Sequence, residues 1–153
     1  MRGYTMTKKK LVDTPVPYGG AALQLIANKK LQSRVKVILE EYELNLTQWL
    51  IISRLNDIRS GLRTTDLARF MHVEVPLITM MSRPLRKRGL IISAVRTPDK
   101  REKLLSVTTK AKEIIEVIET RLQKQVAGMT EDVSLQDLQT YFRVLQSMVR
   151  SPA

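Results

Sequence analysis

Apolar residues return every three or four positions from Leu23 onward. Leu23, Ala27, Leu31, Val35, Ile38 and Tyr42 form one stripe, which predicts a first helix over 21–43. Thr47 is the expected N-cap of a second helix that turns Ile51, Ile52, Leu55 and Ile58 inward, and Gly61 is its expected end. Thr64 is the expected cap of a short third helix carrying Leu67, Ala68 and Met71. A turn, "HVEV", follows. Pro76 suits the first position of a fourth helix, where its missing N–H is not needed. That helix buries Ile78, Met81 and Leu85, and Gly89 closes it.

The period then changes. "LIISAVR" is apolar and β-branched and reads as a strand, "TPDK" as a turn and "REKLLSVT" as the returning strand. Thr108 or Thr109 opens a long helix with Ile115, Ile118, Leu122 and Val126 on one side. Ser134, with Asp137 three residues on, resembles a capping box at the head of a last helix. Leu135, Leu138, Phe142, Leu145 and Met148 share one face of it. The fold class is thus mostly α with a small β-hairpin wing.

Residues 64–90 hold the densest pattern. Two short helices joined by a three-residue turn form a helix-turn-helix when their packing positions have the right offsets. Leu67, Ala68, Met71, Val73, Ile78 and Met81 fit those offsets. The turn position where glycine is usual is His72, a residue that tolerates left-handed backbone better than a β-branched one. At about 100° per residue, burying Ile78, Met81 and Leu85 leaves Pro76, Met80, Arg83 and Lys87 on the opposite face, with Thr79 and Arg86 on one flank. Four cations stand in the six positions 83–88, namely Arg83, Arg86, Lys87 and Arg88. Pro84 stands among them. Inside a helix it removes the hydrogen bond to the Met80 carbonyl at a cost of roughly 3 kcal/mol. A bend near 80–84 is expected; the alternative is a helix that stops at Arg83.

Charge sharpens this picture. The 153 residues carry a formal charge of +11, and 43% are hydrophobic, enough for a real core. Between Arg59 and Lys110 there are 12 Lys and Arg against 4 Asp and Glu, a net of +8. Arg2, Lys8, Lys9 and Lys10 add cations to a proline- and glycine-broken arm over 1–19. A basic block within a folded region points to a polyanion partner. A helix fits the major groove, and a basic hairpin beside it reaches backbone or minor groove. Cysteine is absent, which excludes disulfides and thiol redox sensing, and the single histidine argues against a zinc site. No apolar run reaches the ~20 residues of a membrane span, and no apolar segment follows the basic N-terminus as in a secretory signal, so the expected location is the cytoplasm.

The stretch "LTQWLIISRL…TTDLARFMHVEVPLITMMSRPLRKRGLI…RTPDKREKLLSVTTKA" resembles the MarR family of bacterial winged helix-turn-helix transcription regulators. The marks are Leu46-Thr47, Leu67-Ala68, Thr79, Leu85 with Gly89-Leu90-Ile91, Asp99-x-Arg101, and Thr108. The resemblance implies a homodimer built from a helical dimerisation region, 20–45 and 109–150, with a winged DNA-binding lobe at 46–108. Each lobe would face a groove of a pseudo-palindromic site in double-stranded DNA. By the same resemblance Pro76, Leu77, Thr79, Met80 and Arg83 face base edges or nearby phosphates, Arg86 and Lys87 lie nearer phosphates, and Arg96 contributes charge from the hairpin. Lys100 takes the wing tip, and Arg101 is braced by Asp99 or contacts phosphate itself.

Three departures bear on readout. Met80 stands where relatives often carry a base-reading arginine, and methionine cannot read guanine bidentately. Lys100 replaces an arginine at the wing tip. Arg83 stands where an acid is common. The family also commonly binds small aromatic acids that lower DNA affinity; Asn28, Arg34, Trp49 and Arg54 are the candidate ligand residues here, with core packing as the competing reading of Trp49. No cofactor is implied. No glycine-rich phosphate loop, nucleophile with a base, or paired carboxylates support an enzyme. The alternatives to an operator-reading repressor are a sequence-tolerant architectural DNA binder and an RNA-binding winged helix.

Overall fold

A computed structural model describes residues 19–95 and 103–150. The elements follow in the order α1 (Gly19–Glu40), α2 (Leu46–Asp57), β1 (Leu62–Arg63), α3 (Thr64–Met71), α4 (Val75–Lys87), β2 (Ile91–Val95), β3 (Lys103–Val107), α5 (Thr109–Met129) and α6 (Leu135–Arg150). This is the expected mostly helical architecture with a small antiparallel sheet. The arm residues 1–18 and the hairpin tip 96–102 lie outside the described residues, and with them Arg96, Asp99, Lys100 and Arg101.

Helix boundaries differ from the sequence expectation in instructive ways. Helix α1 begins at Gly19, ahead of position 21, and ends at Glu40 rather than 43. Its end is set by Glu43, whose φ of 52° turns the chain so that Leu44 N–H bonds back to the Leu39 carbonyl at 3.0 Å. Helix α2 is capped by Asn45, not Thr47. The Asn45 side chain accepts from Gln48 N–H at 2.9 Å, and the Gln48 side chain accepts from Asn45 N–H at 3.0 Å. This reciprocal pair satisfies two orphan donors, whereas Thr47 already lies inside the helix. Ile58 is the C-cap of α2 and only half-buried. Thr64 is the first residue of α3 rather than its cap, and Pro76 is the second residue of α4 because Val75 is already helical. Helix α4 continues through Pro84 to Lys87, so the early stop at Arg83 does not occur.

The sheet has the order β1-β3-β2, with every pair antiparallel. The hairpin pairs Ile91 with Val107 and Val95 with Lys103. The two-residue β1, unexpected from sequence, pairs Leu62 with Leu105. Gly61 makes this possible. It sits at φ +82°, and a Cβ there would come within 2.9 Å of the Leu105 carbonyl oxygen and 2.7 Å of Ser106 Oγ.

The core joins all of these except α6. Leu39, Ile51, Ile52, Leu55, Leu67, Ile78, Leu85, Leu90, Ile91, Ile115 and Ile118 are fully buried. Leu23 and Ala27, expected on the buried stripe of the first helix, are exposed. Helix α6 buries none of its residues in the single chain. Its Ser134 hydroxyl accepts from Asp137 N–H at 3.1 Å and donates to the Asp137 carboxylate at 2.6 Å, so the cap forms. Yet Leu135, Phe142 and Met148 stay 72%, 51% and 57% exposed. A well-capped helix with its apolar stripe uncovered is a helix made to meet another surface.

Candidate nucleic-acid interface

Helices α3 and α4 enclose a three-residue turn, His72–Glu74, as a helix-turn-helix requires. His72 takes the left-handed conformation at φ 52°, and Val73 N–H bonds to the Ala68 carbonyl at 3.1 Å. The absent glycine is thus replaced by a histidine in the same backbone state. Leu67, Ala68 and Ile78 are buried where the two helices cross, and Met71, Val73 and Met81 are half-buried against the same core. All six sequence-matched packing positions therefore point inward.

The outer face of α4 follows from that register. Ile78, Ser82 and Leu85 are buried. Pro76, Thr79, Met80, Arg83, Arg86 and Lys87 are exposed, and Leu77 is half-buried at the edge. Thr79 donates its hydroxyl to the Val75 carbonyl at 3.1 Å, so outward it offers a methyl and acceptor lone pairs. Among the described residues no carboxylate pairs with Arg83, Arg86 or Lys87. The outer face of this 13-residue helix is thus solvated, with its cations gathered at 83–87, and the helix has no acid in its first turn.

Arg88, the fourth cation of the cluster, behaves differently. Its guanidinium donates to the Tyr42 carbonyl at 2.7 Å and to the Glu43 carbonyl at 2.8 Å. Sequence reading grouped it with its neighbours; the available signal was its place one residue before Gly89, at the end of a helix, where a cation meets free carbonyls. Gly89 has φ +67°, and Leu90 N–H closes the end of α4 by bonding to the Leu85 carbonyl at 2.9 Å. Thr108 then caps α5 through Ala111 N–H and donates to the Gly89 carbonyl at 2.8 Å. Helix α4, the hairpin root and α5 are thereby fixed to one another.

The candidate ligand residues do not converge. Trp49 is buried at 6% exposure and belongs to the core. Asn28 lines a cavity of about 560 Å³ between α1, α5 and α6. Arg54 lines another, of about 580 Å³, between α2, α3 and the end of α6, with its guanidinium 3.9 Å over the Phe70 ring. Arg34 is exposed on α1 and lines neither. Among the described residues no acidic, histidine or cysteine cluster could hold a metal, and no helix is long and apolar enough to cross a membrane.

Residues 44–103 match the sequence model of the MarR family. The fold agrees over a longer span. A MarR-family transcriptional regulator from Rhodococcus sp. RHA1 superposes with a TM-score of 0.78 at 16% identity, covering 88% of this chain and 95% of the other. CouR from Rhodococcus jostii RHA1, in a structure bound to p-coumaroyl-CoA, gives 0.76 at 16% identity, with 86% and 91% covered. MepR of Staphylococcus aureus, in a complex with DNA, gives 0.71 at 18% identity, with 84% and 93% covered. Residues 44–103 are thus similar to the MarR family, and the fold of the chain is that of solved MarR-family proteins.

Proposed function

We propose that the chain works as a homodimeric repressor that reads a pseudo-palindromic site in double-stranded DNA. Helix α4 enters the major groove with Pro76, Leu77, Thr79, Met80 and Arg83 toward bases or adjacent phosphates, and with Arg86 and Lys87 toward the backbone. The wing brings Arg96, Lys100 and Arg101 to the neighbouring minor groove, with Asp99 as brace. The observation that carries this reading is the outer face of α4, cationic and without a carboxylate partner among the described residues, set opposite a fully buried Ile78 and Leu85. The uncovered stripes of α1 and α6 support the dimer, in which two lobes would address half-sites about one helical turn apart. A small aromatic ligand that lowers DNA affinity completes the reading; the p-coumaroyl-CoA in CouR is a relative's ligand that favours it.

Arg83→Ala and Lys100→Ala are each expected to weaken duplex binding while leaving the dimer intact, and each to lower the slope of log affinity against log salt by about 1 if the lost contact is a phosphate. Wild-type binding by both would remove α4 and the wing from the interface. A second reading, an architectural binder with little sequence preference, is favoured by Met80, which is 56% exposed at the centre of that outer face and has no polar group with which to read guanine. Tighter binding to RNA than to duplex DNA would replace both readings with an RNA-binding winged helix.

A further inference from the structure

We propose that Arg88 is a positioning residue. Resting on the DNA-binding reading above, it sets the angle of the recognition helix against the α1–α5 scaffold and does not contact phosphate. Two helix C-termini meet at this point. Helix α1 ends at Glu40 with a turn over 41–43, and α4 ends at Lys87. Each brings the negative end of its dipole to the junction, where the Tyr42 and Glu43 carbonyls also accept, so bringing the two together without a cation is unfavourable. Arg88 fills the junction. Its planar fork bonds the Tyr42 and Glu43 carbonyls at 2.7 and 2.8 Å, and the Glu43 carboxylate lies 3.9 Å away. Lys110, in the first turn of α5, donates to the Arg88 carbonyl at 3.1 Å. On the far side of the same turn, Glu41 accepts two 2.7 Å bonds from Arg121 of α5. The three residues 41–43 thus tie α5 to the end of the recognition helix from both sides.

The geometry separates Arg88 from its neighbours. Arg86 and Lys87 are exposed, whereas the Arg88 side chain is 30% exposed and its fork already has two acceptors. A lysine could hold one carbonyl but not span both in one plane. A shift of the turn by a fraction of a bond length would therefore be passed to α4 as a change in its approach to the groove.

The test compares Arg88→Gln, Arg88→Lys and Lys87→Ala with wild type for duplex affinity across a salt series. The expected result is roughly a tenfold loss for both Arg88 variants with the wild-type salt slope, whereas Lys87→Ala lowers the slope by about 1. A spin label at Met80→Cys, unique because the chain has no cysteine, should give a broader distance distribution between recognition helices in both Arg88 variants than in the wild-type background. Arg88→Lys with wild-type affinity, or Arg88→Gln with a slope lowered by about 1, would make Arg88 a phosphate contact and overturn the proposal. Should Arg88→Gln fail to fold, Glu41→Gln decides. It removes a negative charge, so simple electrostatics raises DNA affinity, whereas the positioning role lowers it. Failure of the wild type to bind duplex DNA would instead sink the functional reading, with the label distances still reporting on Arg88.

Discussion

Arg121 and Glu41 meet in two parallel hydrogen bonds, Nη1 to Oε2 and Nη2 to Oε1, both 2.7 Å, across 80 residues of sequence. The hydrogen bonds from Arg121 hold the Glu41 carboxyl below its ordinary value of 4.5, the guanidinium charge adds to this, and partial desolvation opposes it. A carboxylate whose folded pKa is depressed contributes stability that is fully present above its unfolded value and is lost as pH falls through the folded value. The pair is solvent-exposed and so screened by salt. Titration of the Glu41 side-chain carbon by NMR should therefore show a midpoint below 4.5 that rises in Arg121→Gln. An identical midpoint in both proteins would remove the pair as a tie between the α1–α2 turn and α5.

The cap of α2 gives a separate stability prediction. Asn45→Ala removes the half of the reciprocal pair that the Asn45 side chain makes, its bond from Gln48 N–H, and should cost about 1 kcal/mol. Thr47→Ala, two residues on and inside the helix, should cost less. Denaturant melts of the two variants check the order. A larger loss at Thr47 would mean that the second helix begins where the residue preference alone suggested.

That contrast shows what was legible in the sequence and what was not. Apolar spacing located the helices of the described residues, β-branched composition located the hairpin, and the offsets of Leu67, Ala68, Val73 and Ile78 located the helix-turn-helix. Caps were less legible. "NLT" offers two good capping residues, and the choice fell to Asn45 because Gln48 stands three positions after it. Ser134 and Asp137 lacked a rival and were read correctly. The two residues of β1 are too few for a period-2 signal, and only their pairing to β3 makes them a strand. Within the basic cluster the sequence could place cations on faces, but it could not show that Arg88 meets the α1–α2 turn 45 residues upstream.

The uncovered face of α6 predicts a dimer that depends on it. Phe142→Asp should raise the dissociation constant by about thirtyfold or more, the effect of removing a central interface side chain, and sedimentation should follow the shift from dimer to monomer. Helix content near wild type would show that the lobe folds without its partner. A wild-type chain that sediments as a monomer at micromolar concentration would contradict the dimeric arrangement outright.

On the proposed reading a dimer reads DNA sequence through α4 and the wing. Selection from a randomised duplex pool at near-physiological salt, followed by sequencing, tests it most directly. Enrichment of an inverted repeat whose half-sites lie about one helical turn apart is the expected result. Tight binding without any enriched sequence would contradict it, and would mark a protein that holds the backbone and leaves the bases unread.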